Sequence, residues 1–299
     1  MKLLVSQHIL GPVHVIDLPV REEHSVLSTY VVKGPESMVI DPGTTHGLPG
    51  IVEGIREIGI KDLRYIGLTH VHLEQAGGAW KLSETYPEAE LLIHPDGIER
   101  MIELDKLDSS RSHEDQVKIF GEVRGVKIMR ILESKEGTID LGGLNLKVVY
   151  TPGHDSSCQC FFDPDTRILI VGDSVGVFSK ERNIITPDSP SPFNPRKTIE
   201  SLEKLIALRP EIICLSHSGF SFDAVKRLIL YREQISLWDS IVTAAVKEGI
   251  NFNQTFYQVF EADPFLRMAV EGSEARVRIA MLNMMGFIDN AKRIFEKHA

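Results

Sequence analysis

The chain has 299 residues, a formal net charge of −9, 42% apolar residues and 25% charged residues. This length suits one large domain or two modest ones, and the composition excludes a disordered or fibrous chain. The acidic balance argues against a nucleic-acid binder that works through bulk charge, because neutralising phosphates requires a surplus of Lys and Arg.

The first half of the chain predicts strands that alternate with helices. The predicted strands are short β-branched runs closed by Gly or Pro, at 13–18, 29–34, 37–43, 64–70 and 91–95. A helix is expected over 48–59, where apolar residues recur on one face, and a second over 77–87, where Pro87 ends it. Residues 98–120 are more polar and predict a pair of surface helices.

Strands return in the second half and are followed by a long loop. The predicted strands cover 125–132, 144–153, 158–163, 167–173 and 212–217. Between the last two lies a segment rich in Pro and Ser, 179–196, which predicts an extended loop and, from 184 onwards, a wall of a substrate site. Thr198 is expected to be the N-cap of an amphipathic helix that reaches residue 210.

Beyond residue 220 the pattern changes to helical periods with almost no strand signal. We therefore predict two domains, a mixed domain at 1–220 and a C-terminal helical extension at 221–299. Long stretches of strands without helices favour two β-sheets with helices packed outside over a doubly wound parallel sheet. The apolar stripe Ile279, Leu282, Met285 and Ile288 would either pack on the sheets or form a homodimer contact.

Cysteine usage and hydropathy predict a soluble, cytoplasmic protein that contacts no membrane. Cys158, Cys160 and Cys214 lie in strand-like apolar runs, where buried thiols are expected, and three cysteines are too few for a disulfide framework. The first residues lack a continuous apolar stretch followed by a cleavage site. No apolar run approaches the length of about 18 residues that would span a bilayer.

The densest polar cluster lies at 69–78 and contains candidate metal ligands. His70 and His72 are two residues apart at the end of an apolar strand, so in an extended segment both imidazoles point to one face. Glu74 continues the alternation. Imidazole and carboxylate together suit Zn or Fe, although the same pattern also fits two solvated histidines in a loop.

The same design recurs elsewhere in the chain. Apolar runs stop abruptly at Asp41, His154, Asp173 and His217, each a residue that can bind metal. One such residue is usually a turn former. Repeated at what would be the same end of a sheet, they indicate a metal site at the sheet edge.

The ordered motifs D-P-G, T-H-x-H, P-G-H, G-D and S-H make this sequence resemble the metallo-β-lactamase superfamily over about residues 12–219. The resemblance implies an α/β (α+β) fold, a four-layer αββα sandwich. The tail is similar to the extension found in some prokaryotic members.

The resemblance also implies a binding site for one or two divalent ions of Zn, Fe or Mn. It assigns His70, His72 and His154 to a first metal, Asp173 to a bridging position, and Glu74 and His217 to a second metal. Asp41 would support the surrounding loops by hydrogen bonding rather than bind metal.

The sequence departs from the superfamily motif H-x-H-x-D-H at its last two positions, which are Glu74 and Gln75. Glu74 keeps a carboxylate with a longer reach, whereas Gln75 would offer at best a weak carbonyl ligand. The second site would then be rich in oxygen, which shifts its preference from Zn toward Fe or Mn. Three outcomes stay open: a two-metal site with a harder second metal, a one-metal site, or a site that has lost catalysis.

The activity implied by the resemblance is hydrolysis of an ester, thioester, lactone or phosphoester in a small molecule by a metal-bound hydroxide. Asp173 and Glu74 would be the catalytic residues, with Glu74 orienting water or acting as a general base. Two alternatives are an iron-dependent redox protein of the same fold and a non-catalytic metal-binding or ligand-binding member.

Overall fold

The computed structural model describes residues 6–19, 26–106, 113–126, 131–133 and 136–296. The chain divides into two compact units. The first comprises 1–150, 157–172 and 212–221, and the second comprises 151–156, 173–211 and 222–299. Residues 173–211 therefore group with the tail, and the predicted boundary near residue 220 is one of several crossings between the units.

Two β-sheets form the centre of the first unit. The seven strands of the first sheet lie in chain order: β1 (Ser6–Leu10), β2 (Val13–Pro19), β3 (Val26–Val32), β4 (Met38–Ile40), β5 (Tyr65–Gly67), β6 (Glu90–Ile93) and β7 (Ile131–Glu133). Strands β1 to β4 pair antiparallel, whereas β4 to β7 pair parallel. Of the strand predicted at 125–132, residues 127–130 lie outside the described residues.

The second sheet has the order β15-β14-β11-β10-β9-β8. Its strands are β8 (Gly137–Asp140), β9 (Asn145–Tyr150), β10 (Gln159–Asp163), β11 (Ile168–Gly172), β14 (Ile212–Leu215) and β15 (Phe220–Phe222). Strands β11 and β14 pair parallel, while β8, β9, β10 and β11 pair antiparallel in succession. The carboxyl ends of β9, β11 and β14 therefore lie at the same edge as the amino end of β10.

Side chains alternate between two buried faces along the central strands, which explains their nearly continuous apolar runs. In β3, Tyr30 and Val32 join a core that includes Phe161 and Ile170 of the second sheet. Val31, between them, points to the opposite face, where it belongs to a core that includes helical residues such as Ile51.

Among the described residues, five α-helices belong to the first unit: α1 (Leu48–Glu57), α2 (Leu73–Ala76), α3 (Ala79–Thr85), α4 (Ile98–Ile102) and α5 (His113–Phe120). The apolar face predicted for α1 is confirmed, because Leu48, Ile51 and Ile55 are buried in the core that covers the first sheet. The predicted helices at 77–87 and 98–120 correspond to α3 and to α4 with α5.

The described part of the second unit contains a short hairpin and five α-helices. Its elements are β12 (Val177–Ser179), β13 (Ile184–Thr186), α6 (Pro195–Ala207), α7 (Ala224–Glu248), α8 (Phe252–Ala262), α9 (Pro264–Val270) and α10 (Glu274–Glu296). Among these helices, none combines enough length with enough apolar character to cross a bilayer. The tail is helical as predicted.

Two local predictions in this unit are wrong. Helix α6 begins at Pro195 and is capped by Asn194, whose side chain accepts from Lys197 N, so Thr198 is not its N-cap. Proline is favoured in a first helical turn because its missing N–H has no partner to lose there. The predicted extended loop starts at Ser179, the last residue of β12, and its residues 184–186 form β13, which pairs with β12 across a turn with Asn183 at positive φ.

The apolar stripe of the tail is only partly covered. Ile279, Leu282 and Met285 are exposed by 56%, 68% and 39%, whereas Ile288 is buried. A homodimer through this stripe stays a prediction.

Tyr30 fixes the loop that follows β14. Its hydroxyl is fully buried and donates toward the carbonyl oxygens of Leu215 (2.6 Å) and Gly219 (2.8 Å), on either side of His217. We expect Tyr30→Phe to lower the free energy of unfolding by about 1–2 kcal/mol, because the buried hydroxyl's hydrogen bond to these carbonyls is lost, while Gly219 O still accepts from Leu215 N (2.9 Å). Urea denaturation measures this loss. The control Tyr257→Phe removes an exposed hydroxyl and should change stability by less than about 0.5 kcal/mol; equal effects would contradict the interpretation.

Candidate metal centre

His70 and His72 are brought together by the segment that follows β5. His70 Nε2 lies 3.0 Å from His72 Nδ1. Two nitrogens bound to one tetrahedral Zn at about 2.0–2.1 Å lie about 3.3 Å apart, so this separation suits two ligands of a common ion. His70 is buried and His72 is half-buried, so solvent reaches the pair from the side of His72.

Asp41 and Thr69 position His70 from behind. The Asp41 carboxylate accepts hydrogen bonds from Thr69 N (2.8 Å) and Thr69 Oγ1 (2.7 Å). Thr69 Oγ1 is also 3.1 Å from His70 Nδ1. Such contacts to the second ring nitrogen orient histidines that bind metal. Asp41 therefore acts on this site through Thr69.

The Asp41 carboxyl is held in an unusual state. Burial raises the pKa of Asp41 to about 7, although the hydrogen bonds from Thr69 lower it. Its backbone has φ +54°, a left-handed conformation that is uncommon outside glycine. Strained, buried polar residues of this kind cluster at functional sites.

Glu74 and His217 form a second pair in the first unit. Glu74 Oε2 lies 3.8 Å from His217 Nε2. The side chain of Glu74 is 36% exposed and that of His217 is 13% exposed. The pair has the accessibility and the donor atoms of a weaker, more solvated metal position.

In the second unit, His154, Asp173 and Asp188 each offer a ligand atom, and these atoms lie within 4.8 Å of one another. His154 Nδ1 lies 2.9 Å from the carbonyl oxygen of Asp188. Burial lowers the pKa of His154, but the surrounding carboxylates, led by Asp188 and Asp173, outweigh it and raise the pKa overall. The same negative field would attract a cation.

The loop that carries His154 is fastened to helix α6. Ser201 Oγ donates to Pro152 O (2.8 Å), and Asn194 N donates to Gly153 O (2.9 Å). Gly153 has φ +151°, and a Cβ there would lie 2.2 Å from Thr198 Oγ1, so only glycine allows this close approach.

Four residues considered as ligands from the sequence lie outside the ligand groups found among the described residues: Asp41, Glu74, Gln75 and His217. Glu74 and His217 form the pair described above. Gln75 is buried in α2, and its backbone oxygen accepts from Gly43 N (3.1 Å). Asp41 contacts Thr69 instead, as described above. Sequence reasoning did not single out Thr69 or Asp188. Thr69 sits inside the T-H-x-H motif, and Asp188 lies in the segment considered as a substrate wall.

Comparison with known proteins defines the class. Residues 21–217 match the family model of the Metallo-beta-lactamase superfamily, which covers most of the chain. The chain therefore belongs to the metallo-β-lactamase superfamily. The two sheets and the C-terminal helices correspond to the α/β sandwich of that fold with a helical extension.

Two solved structures illustrate the fold. The metallo-β-lactamase fold-containing protein ST1585 of Sulfurisphaera tokodaii is 26% identical over 207 residues, which cover 65% of this chain and 73% of that protein. Its crystal structure superposes with a TM-score of 0.63, over 94% of this chain and 98% of that one. Rubredoxin oxygen:oxidoreductase from Desulfovibrio gigas has a TM-score of 0.58 at 17% identity, over 77% of this chain and 62% of that chain.

A relative with a named activity is the human acyl-coenzyme A thioesterase MBLAC2. It is 31% identical over 112 residues, which cover 36% of this chain and 39% of that protein. The superfamily thus includes both hydrolases and flavodiiron redox proteins.

Proposed function

We propose that the protein is a metal-dependent hydrolase of a small molecule with an ester, thioester, lactone or phosphoester bond. The observation that carries the proposal is the group of buried His154 and Asp173 with half-buried Asp188, which combines an imidazole with two carboxylates. The thioesterase activity named for MBLAC2 favours a thioester within this set. The net charge of −9 favours a small molecule over nucleic acid.

Within the first unit, Thr69 contacts the strands on either side of which the chain carries His154 and Asp173. Thr69, which precedes His70, accepts from Gln159 N (2.8 Å), the first residue of β10. A Cβ on Gly172 would lie 2.2 Å from Thr69 Oγ1. The loop with His154 leads into β10, and Asp173 directly follows Gly172. Convergence of His154 and Asp173 with the His70–His72 pair is part of the proposal and follows the motif order of the metallo-β-lactamase superfamily.

The donor set fits a divalent transition metal. His70, His72 and His154 would hold a first ion, and Asp173 would connect it to a second. A bound ion of this kind polarises the scissile bond and lowers the pKa of water to about 7. Zn, Fe and Mn all accept imidazole and carboxylate ligands, so the choice of metal is left to measurement.

A second ion would rely on Glu74 and His217, because Gln75 replaces the imidazole of the usual motif. The Glu74–His217 pair and the Asp173 carboxylate favour a harder metal there, such as Mn or Fe. Occupancy of one or of two ions per chain is compatible with the proposal.

Glu74 is proposed to orient the attacking water and accept its proton. Its carboxylate is partly exposed and faces His217, so a water molecule can reach it. We expect Glu74→Gln to lower kcat by about 10²-fold or more, which is the range for loss of a general base. Thioester hydrolysis by the metal-loaded chain measures kcat, and elemental analysis should show that the ion bound by the histidines is retained.

The matched control is Glu84→Gln. Glu84 is exposed on α3 and pairs with Lys81. It has no role in the proposed site. Its removal should leave kcat and metal content as in the native chain. Full activity of Glu74→Gln would exclude the proton-transfer role.

An iron-dependent redox function is the second candidate. The carboxylates Glu74, Asp173 and Asp188 give a ligand set rich in oxygen, which suits iron. Purified protein that contains iron and consumes oxygen or a reductant, without hydrolysing thioesters or esters, would support this candidate over the hydrolase. A metal-bound protein with neither activity would indicate a non-catalytic member.

A further inference from the structure

The second unit contains a cavity of about 490 Å³ beside the loop that carries His154. Gly153 and Asp155, the chain neighbours of His154, line it. The start of α6 and the last turns of α10 form other parts of the wall. A molecule in this cavity would lie next to a candidate metal ligand.

Three cationic side chains line the cavity: Arg196, Lys197 and Arg293. Arg293 is held in place, because its Nη2 donates to Phe193 O (3.1 Å) and its Nε to Asp289 O (3.3 Å). A guanidinium carries five N–H donors, so Nη1 keeps donors that can meet a ligand.

The first turn of α6 adds a backbone donor. Pro195 has no N–H, and the Asn194 side chain accepts from Lys197 N, while Thr198 N bonds to Asn194 O. Among the described residues, Arg196 N is therefore the N–H of this turn without a hydrogen-bond partner. Amides at the start of a helix favour anions because the helix dipole is positive there.

Asn290 provides an independent indication of a polar ligand. Its side chain lines the cavity and the residue is only 8% exposed, yet it makes no side-chain hydrogen bond within the described part of the chain. The amide atoms of Asn290 are not among the fully buried polar atoms that lack a partner in the described residues, so they reach the space of the cavity, where they can meet a ligand or water. An Asn amide in this position can donate to an oxyanion.

Acidic groups in the wall do not cancel the cations. Asp155 and Asp239 are the two carboxyls that line the cavity, against three cationic side chains. Arg196 is also paired with Glu200, with Nε 3.1 Å from Oε1, and its two Nη atoms keep donors for a ligand. Burial raises the pKa of Asp239, although a hydrogen bond with Thr243 lowers it. The balance of the wall favours an anion.

We propose that this cavity binds a phosphate group of the substrate. The donors of Arg196, Lys197, Arg293 and Asn290 exceed what the two oxygens of one carboxylate can accept, whereas a phosphate monoester offers three oxygens and up to two charges. The inference rests on the proposed hydrolase function, and it narrows the substrate to a phosphate-bearing molecule whose scissile bond reaches the site at His154.

Binding of inorganic phosphate to the full-length chain is the first test. Calorimetric titration should show one site, and Arg196→Met and Asn290→Leu should each weaken it about tenfold. Arg196 is an exposed side chain and Leu matches Asn in size, so both variants are expected to fold. Arg278→Met on the exposed face of α10 is the control and should bind as the native chain does. Equal affinity in all four proteins, or no saturable binding, would overturn the proposal.

Kinetics separate this inference from the proposed function. An acyl-coenzyme A carries phosphates, and the matching N-acetylcysteamine thioester has none. We expect the ratio of their kcat/KM values to fall about tenfold in Asn290→Leu and to persist in Arg278→Met. Hydrolysis with the same ratio in both variants would overturn the inference and retain the hydrolase. Phosphate binding that responds to the variants, without hydrolysis of either thioester, would overturn the proposed function.

Discussion

Replacement of Asp173 by Asn is expected to reduce kcat/KM for hydrolysis by about 10³-fold, since a metal supplies several kcal/mol of transition-state stabilisation and each 1.36 kcal/mol is tenfold in rate. Asp173 is 2% exposed and lies with His154 and Asp188 in a candidate ligand group. Asparagine keeps the size of the side chain and removes its charge. The assay is turnover by the metal-loaded chain, read together with the metal content per chain.

Asp163→Asn is the matched control. Asp163 is also 2% exposed, at the end of β10, where its carboxylate accepts from Asp165 N (3.0 Å) and Thr166 Oγ1. The amide should weaken this turn and lower thermal stability, while metal content and kcat/KM per folded chain persist. Loss of metal from Asp163→Asn but not from Asp173→Asn would contradict the assignment of Asp173.

Gly172→Ala is expected to destabilise the first unit by about 2–5 kcal/mol. Gly172 has φ +58°, and an added Cβ would lie 2.2 Å from Thr69 Oγ1 and 2.6 Å from Thr69 Cβ. The left-handed backbone accounts for about 1–2 kcal/mol of the loss and overpacking for a further 1–3 kcal/mol. Because Thr69 connects Asp41 with His70, the same change should also weaken metal binding. Denaturant unfolding and metal titration measure the two effects.

Gly59→Ala separates backbone strain from steric conflict. Gly59 has φ +82°, and a Cβ there would meet nothing within 4 Å. Its substitution should therefore cost only the backbone share, about 1–2 kcal/mol, and leave metal affinity unchanged. Equal losses of unfolding free energy in Gly172→Ala and Gly59→Ala would show that the contact with Thr69 does not contribute to the destabilisation.

The strands of the two sheets were predictable from the sequence, because strands buried on both faces have nearly continuous apolar runs. The run at 29–34 overlaps β3, which begins earlier at Val26, and the run at 37–43 contains β4; alternate residues of both strands enter different cores. The buried face of α1 was predictable because its apolar residues recur with the helical period.

Local polar structure was less accessible. The cap of α6 was misplaced by four residues because Asn194 and Pro195 stand inside a segment dense in Pro and Ser. The β12–β13 hairpin was missed since each strand has only three residues. Asp188 belongs to that same segment, and its position near His154 depends on tertiary structure that spacing does not encode.

The pairing of site residues was partly predictable. Residues two apart in an extended segment share a face, so the His70–His72 pair followed from the sequence alone. The proximity of Glu74 to His217 depends on a contact between segments more than a hundred residues apart. It could be expected only through the family resemblance. The role of Thr69 between Asp41 and His70 required the side-chain geometry.

Anomalous diffraction from crystals of the metal-loaded protein tests the central claim most directly. We predict an ion coordinated by His70, His72 and His154, with the Asp173 carboxylate bound to it or to a second ion beside Glu74 and His217. An ion bound elsewhere, or histidine side chains too far apart to share one in crystals soaked with Zn or Mn, would contradict the account.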